Sequence, residues 1–335
     1  MMADQPFFED VDADFDDLAQ RLSSADAGLR RVAAMELAET AAPEAEPLLI
    51  TALSDSEASV RREAALGLEQ FDGLAAAAAL AKALLDADAG VAQAAAQSLA
   101  ELKSPQAAPP LLALVGHPSA EVRIAVWRGL RDLRAEPALV PALAALRDFD
   151  ARVRREAVSV LGYLKNEAAL PALIEASRDE DPEVRRAAVS ALAFAPQEAT
   201  TPTVLARLSD DNWQVRESAA VVAGRVRAAG AVRGLIDRLS DEFWQVQGKA
   251  AAALGKLRSI ESIPALGTLL SSPISNLRKD AVGALGEIGH RDALPFLDKA
   301  LEDEDPDVRK IARWAIGLVH AASDADRRER PRFDS

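Results

Sequence analysis

Apolar and polar positions recur along this chain with a constant period. A phrase of the form Val-Arg-x-x-Ala, with local variation, returns every 31 residues without insertion or deletion. Its first position falls at Leu29, Val60, Val91, Val122, Val153, Val184, Val215, Val246, Leu277 and Val308. Ten copies in unbroken register indicate ten structural units rather than a coincidence of composition.

Each unit contains two apolar runs with helical spacing. In the sixth unit, Leu170 and Leu173 mark a short first helix. Val184, Ala188 and Leu192 mark a second helix, because offsets of four and eight residues lie on one helical face. No segment alternates with a period of two, so we predict twenty helices in ten pairs and no sheet. One pair cannot bury its own apolar stripe, and the units are therefore predicted to stack on one another.

Proline and glycine stand at fixed places in the units. Proline is predicted to open six of the first helices, where its missing N–H is tolerated: Pro47, Pro109, Pro171, Pro202, Pro264 and Pro295. Glycine follows the core of five second helices, where its small size would allow a close helix approach: Gly162, Gly224, Gly255, Gly286 and Gly317.

Two charged columns accompany the apolar ones. Arginine follows the valine position at Arg30, Arg61, Arg123, Arg154, Arg185, Arg216, Arg278 and Arg309. Aspartate stands five residues before the valine position at Asp55, Asp86, Asp148, Asp179, Asp210, Asp241 and Asp303. Charge-assisted hydrogen bonds between stacked turns would satisfy both columns. We therefore assign them to the architecture rather than to ligand binding.

The segment from Asp179 to Leu192 reads Asp-x-Asp-x-x-Val-Arg-x-x-Ala-x-x-Ala-Leu. This pattern resembles the short HEAT-like repeat of the phycobilisome-lyase type, and the resemblance covers about residues 16–321. It implies an all-α fold, a right-handed α-α superhelix that is elongated and curved, with the second helices on the concave face. Proteins with such repeats include bilin lyase subunits, assembly factors, adaptors and scaffolds, so the resemblance specifies shape more than function.

The composition argues against several kinds of chemistry. Cysteine is absent, and the three histidines, His117, His290 and His320, are dispersed, whereas a zinc site needs three or four close ligands. A net charge of −14 argues against nucleic acid, which is bound through cations. No apolar run approaches the roughly 18 residues of a membrane span, and no secretory signal precedes the repeats. We predict no metal, no cofactor and a cytoplasmic, bacterial protein.

Units seven to nine break their own pattern. Trp213 and Trp244 begin second helices at a position that is otherwise small or proline. Phe243 and Ile274 replace polar N-cap residues, and Gln247 replaces the recurring arginine. These residues predict an apolar strip along one edge, and tryptophan is a frequent anchor of protein interfaces. Packing of the rings over neighbouring turns is the alternative.

The concave face is a second candidate surface. Two residues after the valine position, six units carry a base: Arg31, Arg62, Arg155, Arg186, Lys279 and Lys310. Tyr163, Phe194 and Trp314 are predicted to lie on the same face. Such a groove would suit an acidic or extended partner. The alternative is a solvated face with pairing between neighbouring charges.

The predicted solenoid covers residues 12–321. An acidic and aromatic segment, 1–11, precedes it, and a charged tail, 322–335, has too little apolar surface to fold. We expect a non-enzymatic scaffold, adaptor or assembly factor that binds a protein or peptide. The alternative is a lyase-like or chaperone-like subunit that helps attach a bilin or another prosthetic group to a client protein, and it follows from the resemblance alone.

Overall fold

The computed structural model describes the backbone of residues 14–329 and the side chains of residues 14–322. In that span it contains twenty α-helices, eight short 3₁₀ turns and no strand, which confirms the ten predicted pairs. The helices are α1 (Phe15–Leu22), α2 (Ala27–Thr40), α3 (Ala45–Ala52), α4 (Ala58–Gly67), α5 (Leu74–Ala83), α6 (Ala89–Glu101), α7 (Ala108–Leu112), α8 (Ala120–Leu133), α9 (Leu139–Ala145), α10 (Ala151–Leu164), α11 (Leu170–Ala176), α12 (Pro182–Ala191), α13 (Gln197–Arg207), α14 (Trp213–Arg225), α15 (Val232–Arg238), α16 (Trp244–Lys256), α17 (Ile263–Leu269), α18 (Ser275–Ile288), α19 (Leu294–Ala300) and α20 (Pro306–Glu329).

The chain divides into two compact units between Leu164 and Lys165. In the first unit, α2, α4, α6, α8 and α10 each pack against the next, and in the second unit α12, α14, α16, α18 and α20 do the same. Every odd-numbered helix packs against the second helix of its own pair. The recurring valine and alanine positions supply the core, and Val60, Ala64, Val246 and Ala250 are fully buried.

The helix starts follow their local sequence, with one exception. Asp26, Asp88 and Asp181 accept N–H groups in the first turn of their helices, as N-cap acids do. Five of the six prolines lie among the first three residues of a helix. Pro202 differs from the prediction, because α13 begins one turn earlier and places Pro202 in its interior. There α13 takes the place of the 3₁₀ turn that precedes the other proline-opened helices of this unit.

The predicted arginine–aspartate ladder is present in both compact units. In each step the guanidinium donates two hydrogen bonds, at 2.7–3.0 Å, to the carboxylate of the next repeat. The paired residues are Arg30–Asp55, Arg61–Asp86, Arg123–Asp148, Arg185–Asp210, Arg216–Asp241 and Arg278–Asp303. Each aspartate also accepts the backbone N–H two residues further on, so it orders the turn before the second helix.

Where the ladder is interrupted, both partners of the ion pair are replaced together. Where the third repeat has Ala92 in place of arginine, the fourth has His117 in place of aspartate. Where the eighth has Gln247, the ninth has Ser272. His117 and Ser272 still accept the N–H of the N-cap residue, each at 3.2 Å. The turn is therefore preserved while the ion pair between repeats is lost.

Glycines in the second helices allow close approach of the next repeat. A Cβ on Gly255 would lie 2.9 Å from Cα of Ala284, and one on Gly286 would lie 2.9 Å from Cα of Ala315. The corresponding Gly317 of α20 would meet nothing within 4 Å. Close packing thus explains these glycines only where a further helix follows.

The two predicted end segments are described only in part. The segment 1–11 lies outside the described residues, and α20 continues to Glu329, into the segment 322–335 for which disorder is predicted. Residues 330–335 lie outside the description. No helix of the described residues is both long and apolar enough to cross a membrane.

Candidate partner-binding surfaces

The apolar strip predicted for repeats seven to nine is partly packed on itself. We call Trp213, Phe243, Trp244 and Ile274 the aromatic edge. The rings of Trp213 and Phe243 stack at a centroid distance of 5.2 Å and an interplanar angle of 14°. The guanidinium of Arg216 lies 5.8 Å from the Phe243 ring centroid, within the range of a cation–π contact. Ile274 packs against the core, and only Trp244, at 40%, remains among the exposed large apolar residues.

The caps of α16 and α18 are incomplete. Phe243 and Ile274 occupy the N-cap positions and provide no side-chain acceptor for the first turn. Their own N–H groups donate to Asp241 and Ser272, so the preceding turn is retained. The missing caps show that these two positions carry apolar residues at the expense of helix-end hydrogen bonding.

Gln247 has a structural place in the eighth repeat. Its side-chain amide donates to the carbonyl oxygen of Asp241, six residues earlier. Ladder arginines make the same bond through Nη1, as Arg216 does to the carbonyl of Asp210. Gln247 thus keeps the intra-repeat half of the ladder and loses the half that joins repeats.

Most cations of the predicted basic column are paired. Arg31 and Arg62 both lie against Glu63, at 3.9 and 3.1 Å. Arg155 contacts Glu156 at 2.7 Å and Arg186 contacts Glu183 at 2.6 Å. Lys279 contacts Asp305 and Asp307, at 3.0 and 3.3 Å. Lys310 alone among the six makes no ion pair within the described residues.

The three aromatic residues assigned to the concave face lie in different surroundings. Tyr163 is 42% exposed, and the guanidinium carbons of Arg131 and Arg134 lie 5.6 and 6.0 Å from its ring centroid. Phe194 ends a 3₁₀ turn and is half-buried. Trp314 is 55% exposed on α20. Tyr163 belongs to the first compact unit and the other two belong to the second.

The second compact unit also has a basic cleft that was not predicted from the sequence. The cleft has a volume of about 630 Å³ and lies at the carboxyl ends of α14, α16 and α18, beside α20. Arg225, Arg227, Lys256 and Arg258 line it. In the sequence, these four bases stand ten and twelve residues after Val215 and Val246, in two successive repeats. The cluster of bases is recognisable in the sequence only when both of these repeat positions are compared together.

Two histidines serve as turn acceptors. Nδ1 of His117 accepts the N–H of Ser119, and Nδ1 of His290 accepts the N–H of Asp292. Among the described residues, no group of three or more histidine, aspartate or glutamate side chains could hold a metal ion.

Family models of HEAT repeats match residues 15–100, 83–146, 139–224 and 232–317, and so account for most of the chain. The chain belongs to the HEAT-repeat family. The matching model is that of HEAT repeats in general, so the finer likeness to the phycobilisome-lyase type stays a prediction. Comparison of this HEAT-repeat protein with curated proteins gives no significant match.

Solved structures share the HEAT-repeat fold. An engineered protein is 22% identical at a TM-score of 0.51, over 91% of this chain and 98% of that chain. The Escherichia coli protein YIBA_ECOLI is 22% identical at a TM-score of 0.52, over 89% and 97%. A chain of the Kap95:Nup1 complex is 14% identical at a TM-score of 0.63, over 92% of this chain but 50% of that chain. These identities establish a shared fold and nothing further.

Proposed function

We propose that this HEAT-repeat protein is a non-enzymatic scaffold that binds a partner protein, with the aromatic edge in its contact surface. Trp244 carries the proposal. It is 40% exposed, lacks a ring contact among the described residues, and stands where most repeats have a small residue or proline. The packing of its own helix therefore does not require it. An exposed tryptophan is a frequent energetic anchor of protein interfaces.

The solved relatives support a binding role by analogy. In the matched structures Kap95 is in complex with RanGDP or with Nup1. Both are structures of a protein–protein complex, and stacked repeats present long surfaces to partners. The analogy supports binding as a class of function and leaves the partner to experiment.

The test uses Trp244→Ala with Phe149→Ala as a matched control. Phe149 is a fully exposed aromatic residue in the first compact unit. Affinity capture from the native host, followed by mass spectrometry, would first identify a partner of the wild-type protein. In titrations with that purified partner, we expect Trp244→Ala to weaken binding at least tenfold, about 1.4 kcal/mol or more. Phe149→Ala should bind as the wild type does.

The stacked pair gives a second, contrasting variant. Trp213→Ala removes the ring that covers Phe243, and we expect it to lower the melting temperature because an aromatic contact is lost. Trp244→Ala should leave the melting temperature within error. If Trp244→Ala destabilises the protein and the partner still binds with full affinity, the aromatic edge is a packing feature and the proposal fails.

The sequence-based alternative, a lyase-like subunit for a prosthetic group, rests on the repeat subtype alone. This alternative predicts that the chain promotes attachment of a bilin to its client protein. Bilin attachment to a co-purified client, at a rate that depends on this chain, would favour the alternative over the scaffold.

A further inference from the structure

We propose that the basic cleft of the second compact unit binds a short acidic peptide segment that carries an apolar side chain. The inference rests on the proposed binding function, because it names a second surface and the chemistry of its ligand. The cleft is separate from the aromatic edge in the fold. It lies at the carboxyl ends of α14, α16 and α18, whereas Phe243 and Trp244 lie at the amino end of α16.

The cleft concentrates unpaired positive charge in an acidic protein. Arg225, Arg227, Lys256 and Arg258 all line it and are exposed. None of the four makes an ion pair or a side-chain hydrogen bond within the described residues. Glu287 is the one acid among the lining residues. Most other arginines of the second helices are paired, so this group is set apart by its free donors.

The backbone at two of these cations is strained. Arg227 and Arg258 have φ values of 53° and 50°, in the left-handed region that side chains with a Cβ rarely adopt. The next repeat has Gly289 at the same position, with φ of 71°, where the turn forms without that penalty. Ala41, Arg134 and Lys165 stand at the same position of three other repeats and also have positive φ, so the left-handed turn belongs to the repeat. The case for a ligand rests on the free cations and on the apolar wall beside them.

The remaining wall of the cleft is apolar. Trp314 is 55% exposed and lines the cleft together with Ile288 and Leu318. A volume of about 630 Å³ is within the size range of small-molecule pockets and exceeds what a single inorganic anion fills. Cations beside an exposed indole suit a segment in which carboxylates flank an apolar residue. The net charge of −14 disfavours a nucleic acid, whose long phosphate backbone would meet acidic surface beyond the cleft.

The experiment measures fluorescence anisotropy of a labelled Glu-Glu-Phe-Glu-Glu peptide with the full-length chain. The matched probe is Gln-Gln-Phe-Gln-Gln, which has the same shape without the charge. We expect the glutamate peptide to bind and the glutamine peptide to bind at least tenfold more weakly. Binding should weaken as salt is raised, because exposed charges are screened.

The decisive variant replaces the two cations at left-handed backbone positions, Arg227→Gly with Arg258→Gly. Glycine relieves the left-handed backbone, so the melting temperature should be unchanged or higher. The peptide Kd should rise at least tenfold. Glu287→Gln removes the opposing carboxylate and should tighten binding severalfold, which a general loss of folding cannot imitate. Trp244→Ala should leave the peptide Kd unchanged, so failure of the aromatic edge and failure of the cleft are separable.

Three results would overturn the proposal. The first is equal or absent binding of the two peptides by the wild-type chain. The second is full affinity in the Arg227→Gly and Arg258→Gly variant. The third is tighter binding of a labelled deoxythymidine decamer than of the glutamate peptide, which would assign the cleft to nucleic acid instead.

Discussion

A ladder arginine joins the turn of its own repeat to the turn of the next repeat. Arg216 donates to both carboxylate oxygens of Asp241 in the next repeat and also to the backbone carbonyls of Asp210 and Asp211 in its own turn. Asp241 in turn accepts the N–H of Phe243. The side chain therefore fixes the turn within a repeat and the spacing between repeats at the same time. Its replacement by Gln247 one repeat later separates the two tasks.

The interrupted step predicts a gain from restoring it. In Gln247→Arg with Ser272→Asp, we expect the new pair to form with the geometry of the intact steps. The double variant should be more stable than the two single variants predict by about 1–2 kcal/mol, because residues in direct contact couple. Urea unfolding of the wild type, both single variants and the double variant gives that coupling energy. A coupling near zero would mean that the eighth and ninth repeats are not spaced for a ladder bond.

At the scale of helices, local sequence determined most of what was predicted. The apolar stripe, the N-cap acids and the 31-residue period together placed all ten pairs, because each depends on residues within one helix or turn. Contacts between repeats were harder to foresee. For the basic column the sequence left two interpretations open, a groove for an acidic partner or a solvated face with paired charges. It did not indicate that Arg31 and Arg62 converge on Glu63 from two successive repeats. The stack of Trp213 on Phe243 likewise depends on a neighbour that the columns do not specify.

Two glycines of α18 provide a matched pair at this scale. A Cβ on Gly286 would lie 2.7 Å from Cβ of Ala315, whereas one on Gly283 would meet nothing within 4 Å. Gly286→Ala should lower the free energy of unfolding by about 1–3 kcal/mol through overpacking against α20. Gly283→Ala should raise it by about 0.5–1 kcal/mol, because alanine favours the helical backbone. Thermal or urea unfolding of both variants checks the contrast, and similar effects at the two positions would contradict close packing of α18 on α20.

At the scale of the whole molecule, one carboxylate pattern recurs along both compact units. The pKa of six ladder aspartates is lowered from its ordinary value: Asp55, Asp86, Asp148, Asp210, Asp241 and Asp303. At Asp55 the main cause is the hydrogen bond from Arg30. At Asp241 burial alone would raise the pKa, but the hydrogen bonds from Arg216 and from the N–H of Phe243, together with the charges of Arg216 and Arg238, outweigh it.

A carboxyl group whose pKa is lowered by folding stabilises the folded state above its unfolded pKa, about 3.9 for aspartate. That stability is lost as the pH falls through the still lower pKa of the folded state. The melting temperature should therefore fall steeply below about pH 4. Net charge alone predicts a different course, because partial neutralisation of a chain at −14 relieves repulsion as the pH first drops from 7. Circular dichroism melts from pH 7 to pH 2 distinguish the expectation from the ladder from the expectation from net charge.

The control, Arg278→Gln with Asp303→Asn, replaces one ionisable step by amides. Its melting temperature should be lower at pH 7 but should fall less between pH 5 and pH 2. If this variant and the wild type lose the same amount, acid unfolding is driven by carboxylates other than the ladder, and the ladder's role is confined to positioning the turns.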